Sequence, residues 1–275
     1  MKSAIFDYER PRDLAEATRM LAAANGAAKA LAGGQSLGPM LNLRLARPGL
    51  LVDISRLDEL KTVTDGGDHW RIGAGVTHAR LEDSAGKLPG GEMIVSVAGG
   101  IAYRGVRNRG TMGGSLAHAD PAADWPLALS ALGATVEVKG PRGTRNIAAD
   151  RLMAGPFTTA LDDAELITAV AVPKLSGATR WGYYKFCRKP GEFPDASAAC
   201  VFDPRRGAAR VYIGALDGPP VLLGALAAQI AARPALPDNA ALDAAIAGSA
   251  PALDAVDRRL FVAVLGRALG QALSA

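Results

Sequence analysis

Two short loops of this sequence pair glycines with a neighbouring hydroxyl residue. "GGQS" covers residues 33–36 and "TMGGS" covers residues 111–115. A glycine pair lets the backbone reach positive φ and removes two Cβ atoms, so peptide N–H groups can point at one place. Such N–H groups, with a serine or threonine hydroxyl beside them, bind anionic oxygens. Because a diphosphate has two phosphates, two such loops could bind it from opposite sides.

Neither loop matches a common nucleotide-binding fingerprint. No Gly-Lys-Ser/Thr follows either pair, and Gly73 and Gly75 form a Gly-Xaa-Gly without the third glycine of the dinucleotide motif. A single glycine pair is more typical of a tight turn than of a ligand loop. The presence of two related pairs favours a shared ligand.

Three polar side chains follow the second loop: His118, Asp120 and Asp124. They are compatible with a polar turn in which Asp120-Pro121 begins a helix that carries Asp124 in its first turn. They are also compatible with a metal site of mixed ligands. A third interpretation is that a carboxylate accepts hydrogen bonds from sugar hydroxyls next to the diphosphate.

Composition and charge exclude several classes of protein. The 275 residues are 49% apolar and 21% charged, with a formal net charge of +4 and only two cysteines. Lysines and arginines form no basic arm of the kind that binds nucleic acid. Two thiols cannot make a disulfide scaffold. With no apolar signal core and no stretch long enough to span a membrane, we expect a cytoplasmic protein.

The periodicity of the chain predicts mixed α and β structure. Asp13 is expected to cap a helix, and Leu50–Ile54 reads as a buried strand, so the first 55 residues suggest a small α/β unit. Further strands are predicted at His69–His78, 135–140 and 165–173, and helices through Glu82, at 93–98 and after Asp124. Beyond residue 176, "TRWGYYKFCRK" and "ARVYIGAL" are typical of an antiparallel sheet, followed by a last helix from Ala252.

Two segments carry a resemblance to a known family. "AGGQSLGPMLNLRLARPGLLVDISRL", from Ala32, and "VRNRGTMGGSLAHADPAADWP", from Val106, resemble the two FAD motifs of the flavoprotein (medium) subunit of molybdenum hydroxylases. Members include the medium subunit of carbon monoxide dehydrogenase, the FAD domain of xanthine dehydrogenase and bacterial N-heterocycle hydroxylases. The resemblance extends over nearly the whole chain, and "AHADPA" at residues 117–122 is a specific part of it.

The resemblance implies an α+β fold. It implies a two-part FAD-binding domain of the vanillyl-alcohol-oxidase type at residues 1–175, divided into subdomains 1–56 and 57–175. A small α+β C-terminal domain with an antiparallel sheet would follow at residues 176–275.

The resemblance also implies non-covalent FAD and a set of cofactor-binding residues. Both loops would hold the diphosphate, Asp124 would meet the ribityl hydroxyls, Ile167 would pack on the flavin, and Lys185 would lie by the pyrimidine ring, where its charge would stabilise the anionic reduced flavin. Ile101 is a candidate for the cofactor wall and Phe193 for a ring over the flavin. The complete set is Ala32, Gly33, Gly34, Gln35, Ser36, Ile101, Thr111, Met112, Gly113, Gly114, Ser115, Asp124, Ile167 and Lys185.

As a member of such a complex, the chain would have no catalytic residue of its own and no metal site. A large partner subunit would carry molybdopterin, and a small one [2Fe-2S] clusters, in a dimer of heterotrimers without nucleic acid or a membrane span. Electrons would pass through FAD to an external acceptor, which the sequence does not identify.

One departure bears on the substrate. Gln35 stands where carbon monoxide dehydrogenases usually have histidine, which favours an N-heterocycle or an aldehyde over carbon monoxide, and glutamine cannot form the covalent flavin bond seen in related flavoenzymes. A carbon monoxide dehydrogenase medium subunit, a self-sufficient FAD oxidoreductase and a regulatory module that binds a nucleotide diphosphate are the alternatives.

Overall fold

The computed structural model describes residues 2–274, which begin with a small parallel sheet. Its strands lie in the order β1-β3-β2. As expected, Asp13 caps the first helix, where its Oδ1 accepts the N–H of Glu16 at 2.7 Å. The elements of this part are β1 (Asp7–Glu9), α1 (Leu14–Ala23), β2 (Ala28–Leu31), α2 (Leu37–Asn42) and β3 (Leu50–Asp53).

A five-stranded antiparallel sheet follows, in the order β4-β5-β10-β6-β7. Five helices are inserted between its second and third strands along the chain, and they carry the second glycine loop. The elements are β4 (Val63–Asp65), β5 (His69–Gly73), α3 (His78–Glu82), α4 (Glu92–Gly100), α5 (Arg104–Arg107), α6 (Met112–His118), α7 (Asp124–Leu132), β6 (Thr135–Gly140), β7 (Gly143–Ala148), the hairpin β8 (Met153–Gly155) and β9 (Thr158–Thr159), and β10 (Leu166–Pro173).

Residues 176–274 contain a four-stranded antiparallel sheet with strands in chain order, followed by three helices. The elements are β11 (Arg180–Phe186), β12 (Ala196–Asp203), β13 (Ala208–Gly214), β14 (Val221–Leu222), α8 (Gly224–Ala232), α9 (Asn239–Ser249) and α10 (Ala255–Leu273). Helix α10 packs on β11 and β12, and α7 packs on β12 and β13. Because every residue of α7 is buried, this helix joins the core of the middle sheet to the C-terminal sheet.

The α+β class and the antiparallel C-terminal sheet are confirmed, two local predictions need correction, and one strand was missed. The strand predicted at His69–His78 ends at Gly73, where a Cβ would overlap the carbonyl of Leu60, and Thr77 caps α3 instead. Asp120-Pro121 does not begin a helix, because α7 starts at Asp124. Strand β12 was not predicted at all. No helix among residues 2–274 is both long and apolar enough to cross a membrane.

Candidate functional site

The two glycine loops are in direct contact. A Cβ on Gly33 would overlap the backbone carbonyl of Arg109, and Nε of Arg109 donates to the carbonyl of Gly33 at 3.4 Å. On the other side, a Cβ on Gly114 would lie 3.9 Å from the Cβ of Ala32. At Gly33 only a residue without a side chain allows this approach, so the ends of two distant segments form one surface.

The first loop leaves its peptide N–H groups without protein acceptors. Gly34 has a φ of +73°, which favours glycine. Within residues 2–274, the N–H groups of residues 33–37 donate to no protein atom, while the carbonyl of Gly34 accepts from Gly38 at 3.0 Å. The Gln35 side chain folds back, and its Nε2 donates to the carbonyl of Gly33 at 3.2 Å. This loop can therefore offer several backbone donors to an anion.

The sequence predicts free peptide N–H groups in both loops, but in the second loop most of these groups already have acceptors within the protein. The N–H of Met112 donates to Val76, that of Gly113 to Ala74 and that of Ser115 to Thr111. The N–H of Gly114 donates to Oγ1 of Thr111 at 3.0 Å, the capping bond of α6. With these four amides used, the loop's remaining donors among the described residues are the N–H of Thr111 and the hydroxyls of Thr111 and Ser115.

Asp124 and Lys185 form a buried ion pair. Nζ of Lys185 lies 2.7 Å from Oδ1 of Asp124, and the two side chains are 12% and 7% exposed. The hydroxyl of Tyr183 donates to the same Oδ1 at 2.7 Å. Two residues expected to meet different parts of one cofactor, 61 positions apart in sequence, thus lie in contact at the start of α7.

Lysine 185 also reaches the end of α4, next to Ile101. Its Nζ donates to the carbonyl of Gly100 at 2.9 Å. The carbonyls of Ile101 and Ala102 accept from Arg107 at 2.9 and 2.8 Å, and Arg107 is held in turn by Glu82. Ile101 is therefore fixed on a turn whose carbonyls are bound by two cations.

The remaining predicted contacts lie in two different environments. Ile167 is 5% exposed in β10 and belongs to the main hydrophobic core. Phe193 is 66% exposed in the connection between β11 and β12. In that connection Gly191, with a φ of +87°, lies against the carbonyl of Ala102, so the segment that carries Phe193 packs beside the turn of Ile101.

The three polar residues after the second loop, His118, Asp120 and Asp124, each contact a different partner. Oδ1 of Asp120 accepts the N–H of Ala122 at 2.9 Å, which makes it a turn residue. The ring of His118 lies 5.2 Å from that of Phe157. The carboxylate of Asp124 is the member of this group that the fold places against Lys185.

Behind the second loop, His78 is a buried neutral histidine. Its Nδ1 accepts from the indole Nε1 of Trp125 at 3.1 Å. Burial, with a smaller contribution from the charge of Arg107, lowers the pKa of His78 to about 4. A Cβ on Gly110 would lie 2.9 Å from the imidazole, so His78 supports the backbone that leads into Thr111.

Sequence reasoning missed the hydrogen-bond role of Tyr183 and the roles of Arg107 and Arg109. Nothing in the sequence around Tyr183 indicates which group accepts from its hydroxyl. The alternation of a strand, however, places residues 183 and 185 on one face of β11. The two arginines stand in "VRNRG" directly before the second glycine loop. Their acceptors are backbone carbonyls and, for Arg107, also the carboxylate of Glu82, and no sequence pattern marks these distant partners.

Comparison with known proteins agrees with this arrangement. Residues 4–175 match the family described as the FAD binding domain in molybdopterin dehydrogenase. The chain is 38% identical to the nicotine 6-hydroxylase medium subunit of Paenarthrobacter nicotinovorans over 221 residues, which cover 79% of this chain and 77% of that protein.

Solved structures agree over the full length. A chain of the reconstituted CO dehydrogenase from Oligotropha carboxidovorans superposes with a TM-score of 0.91 at 32% identity, covering 100% of this chain and 99% of the other. A chain of quinoline 2-oxidoreductase from Pseudomonas putida 86 gives a TM-score of 0.88 at 30% identity, with the same coverage.

Since the family match includes both glycine loops and the likeness extends over the C-terminal sheet that supplies Lys185, this chain belongs to the FAD-binding subunits of molybdenum-hydroxylase-type oxidoreductases.

Proposed function

We propose that this chain holds FAD between its two glycine loops and passes electrons from partner iron–sulfur clusters to an external acceptor. The observation that carries the proposal is the contact of the first loop, with its free amides, against the second loop. Backbone donors of residues 33–37 would bind the diphosphate, and the hydroxyls of Thr111 and Ser115 would complete its surroundings. When bound, the flavin supplies the redox chemistry.

The Asp124–Lys185 pair supports the placement of the flavin end. Asp124 can accept hydrogen bonds from ribityl hydroxyls, and Lys185 provides a positive charge beside Ile101. A cation in a nearly dry environment favours negative charge close to it, so Lys185 would stabilise the reduced cofactor. Ile101, Ile167 and Phe193 are proposed to supply the apolar contacts.

The proposal divides the chain into an FAD-binding domain at 1–175, with subdomains 1–56 and 57–175, and a C-terminal domain at 176–275. Of these three units, the first subdomain carries one loop, the second carries the other loop and Asp124, and the C-terminal domain carries Lys185. Each unit contains its own sheet, which supports this division. The site requires all three.

We further propose a cytoplasmic dimer of heterotrimers in which the substrate is oxidised on a molybdopterin subunit. The relative at 38% identity is named as a medium subunit, which supports a place in a larger complex. Because that relative is a nicotine hydroxylase and a structural neighbour is a quinoline oxidoreductase, an N-heterocycle is favoured, with an aldehyde as the second choice. A medium subunit of carbon monoxide dehydrogenase is the alternative, and the neighbour with a TM-score of 0.91 supports it.

The visible spectrum of the purified full chain, titrated with FAD, tests the proposal. We expect flavin absorption bands that stay with the protein on gel filtration. Substrates should be oxidised only when the partner subunits are present. Absence of bound flavin would favour the nucleotide-diphosphate module, and substrate oxidation by the chain alone would favour a self-sufficient oxidoreductase.

A further inference from the structure

Asp124 accepts two hydrogen bonds from side chains, and both end on the same carboxylate oxygen. Tyr183 and Lys185 each donate to Oδ1 at 2.7 Å. Oδ2 has no hydrogen-bond partner within residues 2–274, and no side-chain oxygen or nitrogen in this part of the chain is both unpartnered and sealed from solvent. The carboxylate is therefore held by one oxygen, and the other has no protein partner among the described residues and is not sealed from solvent.

The fold fixes the donor Tyr183 firmly. Its backbone N–H donates to Oε1 of Gln271 in α10 at 2.9 Å, and it pairs with Ala199 in the neighbouring strand β12. Burial, followed by the nearby charge of Asp124, raises the pKa of Tyr183 well above its usual range. The hydroxyl thus keeps its proton at neutral pH and acts as a donor.

The neighbouring tyrosine has a different environment. Side chains alternate along a strand, so Tyr184 faces away from Asp124. It packs against the core of the C-terminal sheet, and its hydroxyl contacts Arg267. The chain therefore contains a matched control for Tyr183 one residue away.

Sharing one oxygen between two donors has an electrostatic consequence. A hydrogen bond from Tyr183 draws negative charge toward the hydroxyl, so Oδ1 neutralises the ammonium of Lys185 less completely. Without this bond, Oδ1 would be available to Lys185 alone, and the ammonium would be paired more tightly.

We propose that Tyr183 is a positioning residue: its hydroxyl orients Asp124 so that Oδ2 meets a ribityl hydroxyl of FAD, and it leaves more of the Lys185 charge available to the flavin. This inference rests on the proposed function, because it takes FAD to be the ligand at Asp124. It predicts that Tyr183 affects the flavin end of the cofactor and leaves the diphosphate end unchanged.

The test compares FAD with ADP-ribose, which shares the adenosine diphosphate but lacks the ribityl chain and the ring. In the full chain, Tyr183→Phe should bind FAD roughly 5- to 10-fold more weakly, the loss expected for one hydrogen bond. Its affinity for ADP-ribose should equal that of the wild type, and the midpoint potential of bound FAD should fall. Tyr184→Phe should match the wild type in all three measurements.

Equal losses for FAD and ADP-ribose would overturn the inference, since they would indicate a general structural role. Unchanged FAD affinity in Tyr183→Phe, or an unchanged potential, would also overturn it. Asp124→Ala separates this result from the proposed function. If Asp124→Ala weakens FAD and Tyr183→Phe does not, only the role of Tyr183 fails; if neither does, the proposed flavin site fails too. In the Asp124→Ala background, Tyr183→Phe should have no added effect.

Discussion

The α-carbon of Gly33 lies directly against the backbone carbonyl of Arg109, 76 residues further along the chain. This contact brings the end of β2 against the turn that leads into α6. Arg109 also donates through Nε to the carbonyl of Gly33 at 3.4 Å, which adds a hydrogen bond to the same contact. The first loop is thus positioned by the second.

Gly33→Ala tests this contact, because the new Cβ would overlap a backbone atom and the two loops would have to separate. We expect the free energy of unfolding to fall by about 1–3 kcal/mol, as for other overpacked sites. Affinity for FAD should fall as well. Urea denaturation and a flavin titration measure the two effects.

Gly38→Ala is the matched control. Gly38 lies in α2, and a Cβ there meets no atom within 4 Å. Its unfolding free energy should be unchanged or slightly higher, since alanine is the better helix former. If both variants behave alike, the contact of Gly33 with Arg109 has no energetic role.

Gly114→Val tests the space between the loops. A Cβ at this position faces Ala32 and lies 2.8 Å from Oγ1 of Thr111, so valine would occupy the proposed diphosphate position and disturb the cap of α6. We expect loss of FAD retention with the fold preserved, as measured by flavin absorbance and circular dichroism. Gly177→Val introduces the same side chain where no atom lies within 4 Å and should retain flavin. Full flavin content in Gly114→Val would refute this position for the diphosphate.

Lys185→Met tests the buried ion pair. The change leaves the carboxylate of Asp124 with Tyr183 as its only side-chain donor among the described residues. Removal of one partner of a buried pair costs about 3–5 kcal/mol in unfolding free energy. The double variant Lys185→Met, Asp124→Asn removes the stranded charge and should recover part of this loss.

In the same Lys185→Met variant, the midpoint potential of the bound flavin should fall. This fall should be larger than the loss of affinity for oxidised FAD alone would explain. A redox titration measures this shift. A potential equal to that of the wild type would contradict the placement of Lys185 beside the flavin.

The buried imidazole of His78 predicts a pH dependence of stability. Its pKa is lowered from 6.5 to about 4, so the unfolded chain binds the proton more readily than the folded one between these values. The contribution of the neutral His78 to the free energy of unfolding is therefore fully present above pH 6.5. It is lost as the pH falls through 6.5 towards 4.

His78→Gln isolates this contribution, because glutamine does not titrate and can still accept from Trp125. Between about pH 7.5 and about pH 5, the wild type should lose about 2 kcal/mol more unfolding free energy than the variant. Chemical denaturation at the two pH values measures the difference. Parallel losses would show that His78 has the same pKa in the folded chain as in the unfolded chain.

The sequence predicts those parts of the fold that depend on neighbouring residues, and it misses those that depend on contacts between distant segments. The cap at Asp13 and the helix through Glu82 depend on neighbouring residues, and both are confirmed. Strand β12, "ASAACVFD", shows no alternation because it is central and nearly every residue is buried, so periodicity could not identify it. Its small residues gave no other signal.

The site shows the same division. The paired glycine motifs indicated a shared ligand, and the resemblance indicated Asp124 and Lys185. That these two residues form an ion pair, and that the second loop uses its own amides for capping, depends on contacts between distant segments. Local sequence cannot predict such contacts, because they depend on how the sheets and helices pack.

The hydrogen bonds from β11 to Asp124 have a practical consequence for protein engineering. The residues that match the FAD-binding family end at 175, yet both side-chain donors to the Asp124 carboxylate, Tyr183 and Lys185, come from the strand beyond that boundary. A fragment cut at residue 175 would keep both glycine loops and expose a carboxylate that the intact chain neutralises. The boundary of the sequence family is therefore not the boundary of a transferable module, and grafting must carry the C-terminal sheet along.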